Sequence, residues 1–293
     1  MLNLISSIHW QDKNEKLDEL LEQAHTLTMH PMDQGFEAEV MKITSDQESF
    51  VMKIWSKHSK PDIRSQYHLL HVLSERGLSV SKPLGWGTNP NGDQVLLTTF
   101  DGSPITRVNK KKMTEFARML RNIHKTDVKE MGDFQLPKFD FIDYFFPGVR
   151  EHSDVLQVLT QVTAVTTIQQ DQIIHGDFHL GNIIENNDRY TVIDWTNGQL
   201  GDPRYDFAWS FILLKIHISD RHAEMFRTAY LAKNSIPEEE LERFEALACL
   251  RWVLLHRYGN VPIGPDTMER AESFMRSNPF LSAFAQDFLY RKI

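Results

Sequence analysis

Apolar residues recur at helical spacing over residues 14–25, where Leu17, Leu20, Leu21 and Ala24 share one side. Two runs rich in β-branched and aromatic residues follow, 40–43 and 50–55, and the polar stretch between them reads as a hairpin turn. A loop with one glycine, from Met32 to Glu37, precedes the first run. Ile63, Tyr67, Leu70 and Leu73 repeat at helical spacing within 61–76, and Gly77 is placed to end that helix. Pro83-Leu84-Gly85-Trp86-Gly87 leads to a turn at 89–93. Residues 94–100 then read as a strand, stopped by Asp101-Gly102-Ser103-Pro104.

Beyond Asn109 the rhythm is helical. Met113, Phe116, Ala117, Leu120 and Ile123 mark a helix over 110–124, and further helices are expected over 157–169, 205–218, 220–232 and 237–258. The last thirty or so residues also read as helical, broken at Pro279. Strands early and helices late predict an α+β protein. Its expected parts are a small mixed N-terminal part with an antiparallel sheet, residues 1–100, and a larger, mainly helical part, residues 101–293, with a hinge at 99–104.

Composition changes this picture little. The 293 residues are 41% hydrophobic and 25% charged, as in ordinary globular proteins. Cys249, the single cysteine, lies in an apolar run and reads as packing. No apolar stretch reaches the ~20 residues of a membrane helix and the N-terminus has no secretory pattern, so a cytoplasmic protein without a membrane partner is expected. The charge is more informative. Of the net −8, −7 falls from Glu151 onward, where 20 acidic residues face 13 basic ones. That balance argues against nucleic acid as a partner, since phosphate backbones need clustered Lys and Arg, and it is compatible with a cationic ligand or with a solvated surface.

One segment carries chemistry. His175-Gly176-Asp177-Phe178-His179-Leu180-Gly181-Asn182 sits between apolar pairs. A turn at Asn186-Asn187-Asp188 and a short strand then deliver Asp194-Trp195. Phosphoryl transfer needs an acceptor for the proton of the attacking hydroxyl, which an aspartate supplies. It also needs hard oxygen ligands for Mg²⁺, which an Asn/Asp pair supplies. Asp177, Asn182 and Asp194 would converge if the two strands pair. The alternating His and Asp residues from His175 to His179 are also compatible with zinc, a reading that leaves Asn182 and Asp194 unexplained.

These blocks, followed by Gly201-Asp202-Pro203-Arg204-Tyr205-Asp206-Phe207-Ala208, resemble the aminoglycoside phosphotransferase and choline kinase-like family from about Met32 to Tyr258. The resemblance implies a bilobal protein-kinase-like fold with ATP and Mg²⁺ as cofactors. Asp177 is then the catalytic aspartate, Asn182 and Asp194 the magnesium ligands, and His175, Asp202 and Asp206 supports of the site, Asp206 as a helix cap. Lys53 would grip the ATP phosphates, with Gly35 in the loop over them. Thr98, Thr99 and Phe100 would meet the adenine, and Leu84 and Ile193 would wall its pocket. Two positions depart from the family pattern. Gln66 stands where a glutamate usually pairs the lysine, with Asp62 one turn earlier, and Thr196 stands where many relatives have an acid.

The resemblance implies a small-molecule hydroxyl acceptor, and the acidic C-terminal half favours a cationic one. Asp140, Asp143, Glu151 and Asp154 are candidates for its wall; Phe139, Phe141, Tyr144, Phe145 and Phe146 would line a pocket or pack the interior. Among the remaining residues, His124 reads as a helix-end charge, His179 as a loop residue, and Phe207, Trp209, Phe211, Ile212 and Leu214 as core. The competing function is a nucleotide-binding pseudokinase with little turnover, motivated by Gln66.

Overall fold

The computed structural model describes residues 4–32, 38–46, 48–131 and 134–285. The chain divides into two compact units, Met1–Ile105 with Gly181–Asn197, and Thr106–Leu180 with Gly198–Ile293.

Among the described residues, the first unit is built on a sheet of six antiparallel strands: β1 (His9–Lys13), β2 (Thr28–Pro31), β3 (Ala38–Thr44), β4 (Ser49–Trp55), β5 (Pro83–Thr88) and β6 (Gln94–Thr99), in the order β1-β5-β6-β4-β3-β2. In β4, Phe50 and Met52 are buried in a hydrophobic core with Ile43, Leu84, Val95 and Leu97. Leu17 and Leu20 of helix α1 (Glu15–Glu22) close that core. Alternation along the strand puts Lys53 on the opposite face, with Val51 and Trp55. Helix α2 (Ile63–Glu75) starts at Asp62, whose carboxylate accepts from the Ser65 N–H at 3.1 Å. It ends before Gly77, whose φ of +74° suits a residue without Cβ.

The strands expected at 40–43 and 50–55 are thus the inner parts of β3 and β4. β1 and β2 were not legible because both are edge strands exposed almost throughout, so they show no alternation. Pro31 fits the outer strand, where a missing N–H costs no ladder bond. β5 contains Gly85 and Gly87 because a Cβ at either would collide with the β1 backbone.

Among the described residues, seven helices form the second unit: α3 (Lys110–His124), α4 (Phe141–Phe145), α5 (Ser153–Ala164), α6 (Pro203–His217), α7 (Asp220–Leu231), α8 (Glu238–Arg257) and α9 (Thr267–Ser277). A two-stranded ladder pairs Gln172–Ile174 with Gln199–Gly201. α6 and α8 pack on each other and are buried through most of their length. α8 begins with Glu238, Glu239 and Glu240 and ends in His256 and Arg257, charges that complement the helix dipole. α5 starts and ends earlier than the expected 157–169, and α4 was not expected. The α+β class, with an antiparallel N-terminal sheet and a helical C-terminal part, agrees with the sequence reading. Among the described residues no helix is long and apolar enough to cross a membrane.

Glu245 of α8 is buried, 4% exposed, against Arg227 at 3.2 Å. Burial pushes its carboxyl up, Arg227 opposes this, and the result is about 7. Between pH 4.5 and 7 the folded chain therefore holds a proton that the unfolded chain has lost. Stability from this group falls as pH rises through that window, by on the order of 3 kcal/mol. Glu245→Gln is expected to flatten this part of the pH profile, measured as the difference between the two proteins in urea unfolding at pH 5 and pH 8.

Candidate functional site

In the second unit the site is built around the turn that follows Ile174. Gly176 adopts φ +77°, a left-handed conformation that costs glycine nothing. Asp206, in the first turn of α6 and fully buried, accepts from the N–H groups of His175 and Gly176, both at 2.9 Å. A third contact of the same carboxylate is His124 Nε2 at 3.0 Å, while His124 Nδ1 lies 2.6 Å from the Tyr230 hydroxyl. His124 is therefore a buried bridge between α3, α6 and α7, not a helix-end charge at the surface. His175 Nδ1 accepts the Asp177 N–H at 3.2 Å.

Asp206→Ala would leave three donors facing a void. Leaving a buried donor unsatisfied costs about 1–3 kcal/mol, so the urea midpoint of this variant is expected to drop sharply. A drop under about 1 kcal/mol would contradict this role of Asp206.

Asp177 is half-buried and held from several sides. Trp209 Nε1 donates to its Oδ1 at 2.8 Å, and His179 Nε2 lies 3.5 Å from its Oδ2. Arg251 donates to the Gly176 carbonyl at 2.9 Å and lies 4.0 Å over the Trp209 ring, a cation–π contact that fixes the indole. Burial alone would raise the Asp177 pKa. The hydrogen bond and charge of His179, the charge of Arg251 and the Trp209 hydrogen bond outweigh it and hold the carboxyl well below the usual range. Trp209 and Arg251 were not found in the sequence as site residues. The one available signal was the indole N–H of Trp209, three residues after Asp206 on the same helix, since a buried tryptophan needs an acceptor.

Asp202 accepts the Arg204 N–H at 2.9 Å and the Gln169 N–H at 2.8 Å and pairs with the Arg204 guanidinium at 2.7 Å. It is the cap of α6, a role expected of Asp206. Of the proposed acidic wall, Asp140 caps α4 and Asp154 is locked in a two-pronged pair with Arg257. Phe141 and Phe145 pack on Tyr205, Phe146 is buried against Phe141, and Phe139 stacks on Tyr144 with 43% of its surface exposed.

In the first unit the site is a hairpin. Strands Ile183–Asn186 and Arg189–Val192 pair through a two-residue turn, Asn187 and Asp188, both at positive φ, the conformation a tight hairpin demands. Ile193 N–H donates to the Asn182 carbonyl at 2.9 Å, so the pairing runs one step past the strands and brings Asn182 and Asp194 together at the open end. The loop beyond is pinned, since Trp195 is buried and its Nε1 donates to the Val192 carbonyl at 3.2 Å. Asp194 has φ +62°; backbone strain of this kind gathers at functional positions. Its Oδ1 lies 3.5 Å from Lys53 Nζ and accepts from the Thr196 hydroxyl at 3.3 Å.

Lys53 thus has an acidic partner, and it is neither of those expected. Asp62 is spent on capping α2, and Gln66 is buried with its Oε1 unpaired among the described residues. Asn182 and Asp194 both carry hard side-chain oxygens, and Asp194 is 40% exposed; oxygens of this kind suit Mg²⁺. Among the described residues no group of three or more His, Cys, Asp or Glu side chains is arranged to hold a metal. Thr99 and Phe100 use their N–H groups within the sheet, on the Lys82 and Ser49 carbonyls, and the Thr98 hydroxyl donates to the Thr99 carbonyl. Leu84 lies in the core around α1. Gly35 lies outside the described residues.

The model of the phosphotransferase enzyme family (APH) matches residues 28–247. The fold is similar to that of a spectinomycin phosphotransferase in complex with ADP and spectinomycin, at 14% identity and a TM-score of 0.65 over 92% of this chain and 98% of that one. The choline kinase LicA of Streptococcus pneumoniae is similar at 16% identity and a TM-score of 0.62, over 92% and 99% of the two chains. An amicoumacin kinase in complex with AMP-PNP and Ca²⁺ is similar at 16% identity and 0.63, over 92% of each chain. No curated protein sequence matches the chain.

Proposed function

Because the chain belongs to the phosphotransferase enzyme family, we propose that it transfers the γ-phosphoryl group of ATP to a hydroxyl of a small molecule. The observation that carries this reading is Asp177, an ionised carboxylate with one oxygen tied down by Trp209. In this role Asp177 orients the acceptor hydroxyl and takes its proton as the oxygen attacks phosphorus; the bond to the β-phosphate oxygen breaks and ADP leaves with the electron pair. A carboxylate this acidic is a weak base. It suits a loose transition state, in which the hydroxyl keeps its proton until late and needs aiming more than deprotonation. Lys53 supplies a compact positive charge for the ATP phosphates. Asn182 and Asp194 would hold Mg²⁺, which neutralises charge on the transferred group when bound.

The acceptor class is read from chemistry and from the neighbours, which are named for spectinomycin and choline as acceptors or ligands. The net −7 from Glu151 onward supports a cationic molecule. The competing pseudokinase rests on Gln66, which carries no charge to balance Lys53. The Lys53–Asp194 pair weakens it, because the lysine has an acidic partner.

The test is ADP release across aminoglycosides, choline, ethanolamine and simple sugars. Release that depends on one class of acceptor is expected. Tight ATP binding with no acceptor-dependent release would favour the pseudokinase.

A further inference from the structure

Three contacts in the second unit fix the state of a histidine that the mechanism leaves unused. Trp252, buried in α8, donates its Nε1 proton to His217 Nε2 at 3.0 Å. An indole nitrogen only donates, so this imidazole nitrogen must be bare and the ring proton sits on Nδ1. His256 stacks flat on Trp252, with ring centroids 5.3 Å apart and planes within 8°, which holds the indole in place. Burial, and after it the charge of His179, lowers the His217 pKa and keeps the ring neutral. Trp252 is its hydrogen-bonding partner among the described residues, and the ring is only half-buried.

The helix puts His217 on the side of α6 that serves Asp177. Asp206, Trp209, Leu213 and His217 follow at spacings of three and four and so share one side of α6. Asp206 holds the turn before Asp177, and Trp209 holds Asp177 itself. His217 comes eight residues after Trp209, about 12 Å further along the axis, and His179 lies close enough for its charge to act on the ring.

We propose that His217 Nδ1–H is a specificity-determining donor, which recognises a second oxygen of the acceptor, remote from the hydroxyl that Asp177 serves. The inference rests on the phosphotransferase reading and narrows it. The preferred acceptor is an extended molecule with several oxygens, such as a multi-ring polyhydroxylated amine. A compact amino alcohol with a single oxygen has nothing to offer this donor.

Two substitutions separate the functions of the ring. In His217→Gln the amide reaches the Nε2 position and keeps an acceptor for Trp252, but the donor at Nδ1 is gone. In His217→Asn the amide stands near Nδ1 and keeps that donor, but the Trp252 bond is lost. With kanamycin and spectinomycin as extended probes and choline as the compact one, His217→Gln is expected to raise the KM of the extended acceptor about ten-fold. That is about 1.4 kcal/mol, the scale of one neutral hydrogen bond. His217→Asn is expected to stay within about three-fold, on the same scale, and the KM for ATP to move in neither. A merely structural histidine would give the reverse order, because the Trp252 bond is the one that His217→Asn breaks.

Nitrogen-15 spectra of histidine-labelled protein at pH 7.5 read the tautomer without turnover, the His217 signal being the one missing in His217→Asn. A protonated Nδ1 is expected; a protonated Nε2 or an imidazolium overturns the proposal. Turnover of choline with none of either extended probe overturns it as well. A wild-type protein that releases no ADP with any probe fails the phosphotransferase reading itself and takes this inference with it.

Discussion

Asp177→Asn is expected to lower kcat by about 10³-fold, the middle of the range for loss of a positioned acid–base group. The substitution is chosen because the amide oxygen can still accept from Trp209 Nε1, so the 2.8 Å bond that aims the side chain has a counterpart. What disappears is the charge and the ability to take a proton. The His179 contact at 3.5 Å weakens for the same reason. ATP affinity is expected to stay within a few-fold, since that side chain has no part in holding the phosphates. The measurement is steady-state ADP release with saturating acceptor, beside ATP titration of the same sample. A kcat within ten-fold of wild type would remove Asp177 from the reaction. The pH profile adds a check. Because the carboxyl is held well below the ordinary range, its ionised form persists into mildly acidic solution. An acid limb near neutrality must then come from another group.

Asp194→Asn is the second large effect. Asparagine tolerates the left-handed conformation better than most residues, so the φ of +62° is preserved and the hairpin should survive. The substitution removes the charge opposite Lys53 and one anionic oxygen from the proposed magnesium pair. Lys53 is then left only 21% exposed without its acid. The loss in kcat/KM is expected to reach about 10³-fold, or ~4 kcal/mol of transition-state stabilisation. The Mg²⁺ concentration needed for half-maximal rate should rise with it, and that titration distinguishes a lost metal ligand from a lost lysine partner. Lys53→Met should reduce the rate without moving the Mg²⁺ requirement. If Asp194→Asn leaves both rate and Mg²⁺ requirement unchanged, the pair has another purpose.

The parts of the site that were legible in the sequence are those separated by few residues. Asn182 and Asp194 are joined by a hairpin whose turn, Asn187-Asp188, is itself readable. Pairing at that range is decided by local backbone preference and by the apolar residues on either side. Where the residues of a contact lie far apart, the sequence was silent or misleading. Asp206 was expected to cap α6, but Asp202 does this, leaving Asp206 to hold the 175–176 turn. Both are acids near the start of the same helix, and only packing distinguishes them. Trp209 looked like one more residue of an apolar helix, because hydropathy does not show that its one polar atom meets Asp177. His124 looked like a favourable charge at a helix end, because a partner 106 residues away in Tyr230 leaves no local trace.

By itself the sequence determined the α+β class, the order of the main elements and the His175–Asn182 and Asp194 blocks that point to phosphoryl transfer. Periodicity, turn residues and short spacings carry that information within a window of about twenty residues. The tertiary structure alone decided that Lys53 meets Asp194 across 141 positions and not Gln66 or Asp62. It also decided which oxygen of Asp177 is tied to Trp209, and which nitrogen of His217 meets Trp252. Each of these is the choice of one partner among several chemically equivalent ones. A hydrogen bond or ion pair takes the partner that packing brings within about 3 Å.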